Sequence, residues 1–148
     1  MATRGRKAVS RKGKRRILVV DDHPVLREGL MQIIDRQSDL CVCGTAENAT
    51  EAIERTDSLE PDLAIVDLSL KGGSGLDLIG DLIRKPSRPA VLVLSMHDES
   101  VYAERALKAG AKGYIMKEEA PESLVGAIHQ VLKGGIFLSQ KMRVRLGR

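Results

Sequence analysis

Five times between Arg16 and Gly135 a short apolar run gives way to an amphipathic stretch of helical period. The runs are Ile17–Val20, Leu40–Ala46, Leu63–Val66, Ala90–Leu94 and Gly113–Met116. Runs as continuous as Ile17–Val20 and Leu63–Val66 suit parallel strands buried on both faces. The stretches between them place apolar side chains at helical spacing. Leu26, Leu30, Ile33 and Ile34 follow Pro24, which stands at a first helical position where its missing N–H costs nothing. Ala49, Ala52, Ile53 and Leu59 mark a second helix, and Leu76, Leu78, Ile79, Leu82 and Ile83 a third, after the loop Gly72-Gly73-Ser74-Gly75. Val101, Ala103, Ala106 and Leu107 mark a fourth that stops at Gly110, and Leu124, Val125, Ile128, Val131 and Leu132 a fifth that Pro121 opens and Gly134-Gly135 closes. Repeated strand–helix units predict an open parallel sheet with helices on both faces, and right-handed crossovers leave few topologies.

In such sheets the working crevice lies beyond the carboxyl ends of the strands. Polar groups close four of the five runs at that edge: Asp21-Asp22, Asp67, Ser95 and Lys117. Each alone has a plain reading. An acid pair after a strand is often a helix N-cap, an acid before glycines a turn residue, and a lysine a surface charge. Together they make a chemical set. Three carboxylates at one site repel, and a Mg²⁺ ion with oxygen ligands resolves the repulsion. Lys117 adds a point charge for phosphate, and Ser95 a hydroxyl that donates to a phosphoryl oxygen. Such a set suits phosphoryl transfer by positioning and charge neutralisation, with a carboxylate as the nucleophile.

Charge and cysteine content narrow the classes further. Residues 1–16 carry eight Lys or Arg and no acid, so the net +4 is +8 on this tail and −4 on the rest. Beyond Met1, Val9 is the one sizeable apolar residue of that tail, and residues 1–15 are expected to be disordered. No apolar run is long enough to cross a bilayer, and no signal-peptide pattern follows the basic start. Cys41 and Cys43, one residue apart in an expected strand, are poorly placed for a disulfide and too few for zinc, so both are expected reduced.

The strand ends carry a family resemblance. Ile17-Leu-Val-Val-Asp-Asp22-His23-Pro24, Leu63-Ala-Ile-Val-Asp67-Leu68, Val91-Leu-Val-Leu-Ser95-Met96-His97 and Ala109-Gly-Ala-Lys-Gly-Tyr114-Ile-Met-Lys117 together resemble a response-regulator receiver domain. His-Pro after the acid pair and Ser-Met-His after the fourth run resemble its NarL/FixJ (LuxR-type) branch. The resemblance implies a flavodoxin-like, doubly wound, three-layer α/β/α fold with strand order 2-1-3-4-5. It implies Asp67 as phosphoacceptor, with Mg²⁺ held directly by Asp22, Asp67 and the backbone carbonyl of Ser69, and by Asp21 through water. Ser95 is then the switch hydroxyl, Tyr114 the switch aromatic, turning from solvent toward the core, and Lys117 the phosphate-pairing ammonium. Two positions depart from the pattern. Lys71 stands where receivers usually have Pro, and Glu118 where many have Pro after the lysine, which makes a cis bond there costly.

Rival chemistries fit less well. An aspartate-nucleophile phosphatase of the haloacid dehalogenase type wants a second Asp at position 69, which is Ser. A dinucleotide fingerprint starting at Gly73 would need Gly at position 78, which is Leu. His23, His97 and His129 show no metal-ligand spacing. The resemblance further implies a bacterial cytoplasmic protein and a sensor histidine kinase as phosphodonor, with homodimerisation on phosphorylation as a further expectation. It implies a signalling domain, whose only catalysis is its own phosphorylation and slow dephosphorylation. Gly134-Gly-Ile-Phe-Leu-Ser-Gln140 resembles the start of a linker to a helix-turn-helix domain. The expected organisation is therefore a tail over 1–15, a receiver over 16–135 and a linker start over 136–148, with DNA contacted only through a C-terminal domain absent from this chain. The alternative is a stand-alone receiver that signals through protein partners.

Overall fold

The computed structural model describes residues 13–70, 75–96 and 99–147. The expected tail therefore lies largely outside the described residues, as do Lys71 and His97. Five strands form one parallel sheet: β1 (Arg15–Val20), β2 (Leu40–Ala46), β3 (Leu63–Asp67), β4 (Ala90–Ser95) and β5 (Gly113–Met116). Their order is β2-β1-β3-β4-β5, the doubly wound arrangement expected. The helices between them are α1 (Pro24–Asp35), α2 (Ala49–Leu59), α3 (Gly75–Ile83), α4 (Glu99–Ala109) and α5 (Ala120–Leu132). A short 3-10 turn over Lys117–Glu119 joins β5 to α5.

Alternation along β1 sorts the core into two layers. Ile17 and Val19 pack with Leu30 and Ile34 of α1 and Leu124 and Ile128 of α5. Leu18 and Val20 face the other way, into a cluster with Ala52 of α2, Leu78, Ile79 and Leu82 of α3, and Ala103 and Ala106 of α4. All four β1 side chains are fully buried. At about 1.5–3 kcal/mol for each fully buried aliphatic side chain, this strand alone anchors both layers.

The first strand starts two residues before its apolar run. Arg15 pairs with Leu40, and its N–H donates to the Asp39 carbonyl at 2.9 Å. Buried Asp62 accepts the Arg16 N–H at 2.8 Å and lies 3.5 Å from Arg15 Nε. A carboxylate 46 residues away thus lets two arginines begin a buried strand.

Beyond α5 the chain returns to the sheet. Phe137 forms a parallel bridge with Gly113, its N–H donating to Lys112 O at 2.9 Å and its carbonyl accepting from Tyr114 N–H at 3.0 Å. Gly113 leaves room there, because a Cβ would lie 2.6 Å from Leu92 Cδ1, which would have to shift, and 3.3 Å from Phe137 Cβ. Ser139 then caps α6 (Gln140–Arg145), its side chain accepting from Met142 N–H at 3.2 Å. Leu138 and Met142 are buried in the cluster that holds Ala103, Ala106 and Tyr114, so α6 lies against α4. None of the described helices is long and apolar enough to cross a membrane.

Candidate functional site

The carboxyl edge of the sheet gathers the polar strand ends. Asp21 follows β1 directly, and its N–H donates to Ala46 O at 3.0 Å, which ties it to the end of β2. Asp67 is the last residue of β3 and Ser95 the last of β4. All three are buried, Asp67 and Ser95 completely. Lys117, just past β5, sends Nζ to 3.1 Å from Asp67 Oδ2 and 3.9 Å from Asp21 Oδ2. The other Asp67 oxygen, Oδ1, accepts from the N–H and the Oγ of Ser69, each at 3.0 Å.

The N-cap residue of α1 is His23 and not one of the acid pair; it is in extended conformation and its side chain makes no capping hydrogen bond. Asp21 Oδ1 instead accepts the His23 N–H at 2.7 Å, while Asp21 Oδ2 is buried and has no hydrogen-bond partner. Burial, the larger effect, raises the Asp21 pKa above its ordinary 3.8, and the charge of Asp67 adds to the rise. The His23 N–H and Lys117 oppose it without cancelling it. Arg27, one turn into α1, steadies the loop by donating Nη1–H to the Asp21 carbonyl at 2.8 Å and pairing with Glu47 at 3.3 Å.

One ring revises the expectation drawn from histidine spacing. His23 Nδ1 lies 3.1 Å from Asp21 Oδ1, 3.1 Å from Asp22 Oδ1 and 3.6 Å from Asp67 Oδ2. Asp21, Asp22, His23 and Asp67 each offer one ligand atom, and these atoms all lie within 4.8 Å of one another. Spacing along the chain misses this, because three of the four are consecutive and the fourth comes from β3. The usable signal was a histidine directly after a strand-end acid pair. His129, in contrast, is occupied far from this edge, with Nε2 2.8 Å from Asp39 Oδ2.

Tyr114 is 1% exposed and lies inside in this structure, which is the inward position of the expected swing. Leu138 and Met142 complete the cluster around it, and that covering segment follows the receiver motifs in sequence. Glu118 lies in the 3-10 turn, and no cis peptide occurs among the described residues. Cys41 and Cys43 are free and half-buried, and burial pushes the Cys43 thiol up to about 11.

A doubly wound sheet with three acids, a lysine and a serine at its carboxyl edge defines a signalling receiver, and known proteins agree. The response regulator receiver domain family matches residues 17–129, and the chain belongs to that family, in its NarL/FixJ (LuxR-type) branch. The nitrate/nitrite response regulator protein NarL of Escherichia coli K12 is 41% identical over 128 residues, which are 85% of this chain and 58% of that protein. A LuxR-family two-component response regulator from Aurantimonas is similar in structure, with a TM-score of 0.81 at 34% identity, covering 86% of this chain and 91% of that one. The non-phosphorylated receiver domain of RcsB from Escherichia coli gives 0.77 at 27% identity, covering 84% and 97%. This chain thus spans little more than half the length of NarL.

Proposed function

We propose that this chain accepts a phosphoryl group on Asp67 from a sensor histidine kinase, in a Mg²⁺-dependent reaction, and changes conformation to control output. The observation that carries the proposal is the meeting of Asp67 with Lys117 and Asp21, from three strand ends, at 3.1 and 3.9 Å from one ammonium. The donor set fits a hard divalent cation. Buried Asp21 Oδ2 lacks a hydrogen-bond partner, and a charge beside it would relieve both that and the crowding of acids. Asp22, Asp67 and the Ser69 carbonyl would hold Mg²⁺ directly, with Asp21 acting through water. When bound, the ion supplies positive charge against the phosphoryl oxygens.

The chain's own residues do the rest. An Asp67 carboxylate oxygen forms the new O–P bond as the P–N bond to the donor histidine breaks, and the electron pair leaves with the imidazole. Ser69 N–H and Oγ–H hold Asp67 Oδ1, which fixes the angle of the carboxylate. Lys117 stays with the transferred group and offsets its charge. Ser95, at the end of the strand between Asp67 and Lys117, donates to a phosphoryl oxygen once the acyl phosphate exists. Tyr114 is the second switch residue, buried in the cluster that holds Ala103 and Ala106 of α4. Residues 16–135 form the receiver, 1–15 a basic tail and 136–148 the start of a linker. The proposal extends to a parent protein that regulates transcription through a C-terminal DNA-binding domain, in the bacterial cytoplasm, with phosphorylation favouring a homodimer; that NarL is longer than this chain agrees with a further domain.

Mass measurement after treatment with acetyl phosphate and Mg²⁺ tests the proposal. One phosphoryl mass is expected, absent in Asp67→Ala and absent when Mg²⁺ is chelated. An Asp67→Ala chain that still gains the mass would overturn the assignment.

A further inference from the structure

His23 has no part in the phosphoacceptor chemistry, yet its ring is drawn into the acid pocket. We propose that His23 is a nitrogen ligand in this pocket and gives it a preference for divalent transition-metal ions, of the Co²⁺ and Zn²⁺ kind, over Mg²⁺. The inference rests on the reading of the acid pocket as a divalent-cation site.

Geometry supports it first. Donor atoms bound at about 2.1 Å sit roughly 3.0 Å apart as neighbours in an octahedron and roughly 3.4 Å apart in a tetrahedron. His23 Nδ1 is 3.1, 3.1 and 3.6 Å from oxygens of Asp21, Asp22 and Asp67. The two 3.1 Å separations fit neighbouring corners of an octahedron, and the 3.6 Å separation lies slightly beyond the tetrahedral spacing. The unpartnered oxygen supports it second. Asp21 Oδ2 is buried beside this group with no hydrogen-bond donor, and Lys117 Nζ, at 3.9 Å, is too far to serve as one.

The ring can also change its role at small cost. One nitrogen cannot offer a proton and a lone pair at once, so a metal at Nδ1 requires the proton on Nε2. The His23 side chain is 57% exposed, so water can solvate that proton. Meanwhile the His23 N–H, held by Asp21 Oδ1 at 2.7 Å, keeps the residue tethered over the pocket. Chemistry then selects the ion. Mg²⁺ takes oxygen donors and sheds water reluctantly, whereas imidazole suits the later first-row metals.

The test is titration of the full chain with Co²⁺, whose visible bands report nitrogen ligation, and separately with Mg²⁺. Wild type, His23→Ala and His129→Ala are compared. His23→Ala is expected to lower the ratio of Co²⁺ to Mg²⁺ affinity at least tenfold and to shift the Co²⁺ bands, with His129→Ala like wild type. An unchanged ratio in His23→Ala overturns the proposal. So does an equal tightening of both ions, which would mean that the ring competes with metals as a cation. The underlying reading is scored apart. Mg²⁺ binding that Asp22→Asn abolishes upholds the acid pocket whatever His23 does. Absence of Mg²⁺ binding in wild type overturns that reading and this inference together.

Discussion

Lys117 Nζ reaches Asp67 Oδ2 at 3.1 Å across the end of β4, because β3 and β5 are separated by that strand. Neighbouring strands lie about 4.8 Å apart, so the ammonium spans two strand spacings. Only a long, flexible cation does this from the end of β5. The same reach leaves the lysine side chain 9% exposed, so water screens the pair little.

Lys117→Met should therefore separate two effects that act in opposite directions. Phosphoryl incorporation from acetyl phosphate is expected to slow by on the order of 10²-fold, the scale of removing one oriented charge stabiliser. Mg²⁺ affinity is expected to hold or rise, because a competing cation has left the acids. Quench-and-mass kinetics and a Mg²⁺ titration check the two arms. A variant that loses Mg²⁺ binding would show that Lys117 organises the acids and does not oppose them.

Asp21→Asn should stabilise the metal-free chain. The substitution removes a buried carboxylate whose Oδ2 has no hydrogen-bond partner, on the order of 1 kcal/mol or about 2–6 °C in Tm. The sign with pH follows from the raised pKa. The folded state binds the Asp21 proton more tightly than the unfolded chain, whose group titrates near 3.8. The penalty of the charged carboxylate is then full above the folded-state pKa and vanishes as pH falls below the unfolded value. The Tm gap between wild type and variant should close on acidification over that window. Saturating Mg²⁺ should also narrow the gap at neutral pH, since a ligand of the folded state raises its stability by mass action. Thermal melts at several pH values, with and without Mg²⁺, decide it.

The parallel strand–helix alternation and the strand-end acids were legible because they rest on local patterns, whereas the strand order came through the family resemblance. Continuous apolar runs mark buried parallel strands, and each run ends where its functional residue begins. What escaped depends on partners far along the chain. Arg15 and Arg16 enter β1 because Asp62 accepts the Arg16 N–H from 46 residues away. His23 joins the acids because β3 brings Asp67 to within 3.6 Å of its ring. Tyr114 is inside because Leu138 and Met142 fold back over β5 and α4. Spacing rules do not see such contacts.

Gly113→Ala should show how firmly that returning segment is held. An added Cβ has Leu92 Cδ1 at 2.6 Å and Phe137 Cβ at 3.3 Å, so it presses on both the core and the bridge. A loss of about 1–3 kcal/mol is expected, the usual cost of overpacking. Amide exchange should rise over 137–142 more than in α1, since Phe137 Cβ and the Phe137 carbonyl oxygen both lie 3.3 Å from the added atom. Uniform acceleration across the sheet would mean that the core, and not the bridge, absorbs the strain.

Ser95→Ala should uncouple the distal response from the chemistry. Ser95 is fully buried at the end of β4, opposite Met116 of β5 and on the strand next to the one that ends in Asp67. A phosphoryl oxygen on Asp67 offers its hydroxyl a new charged acceptor, and a ligand shifts an equilibrium only through differential contacts. One charge-assisted hydrogen bond is worth about 1.5–3 kcal/mol, which moves a balanced two-state equilibrium more than tenfold. Because Tyr114 lies inside with Ala103, Ala106, Leu138 and Met142, the expected response includes this shared cluster. Beryllofluoride, which mimics the acyl phosphate, should therefore perturb NMR signals at Tyr114, at Val101–Leu107 and at 138–142 together. In Ser95→Ala, modification at Asp67 should persist while those distant shifts shrink. Wild-type shifts across α4 in the variant would place the coupling on another route.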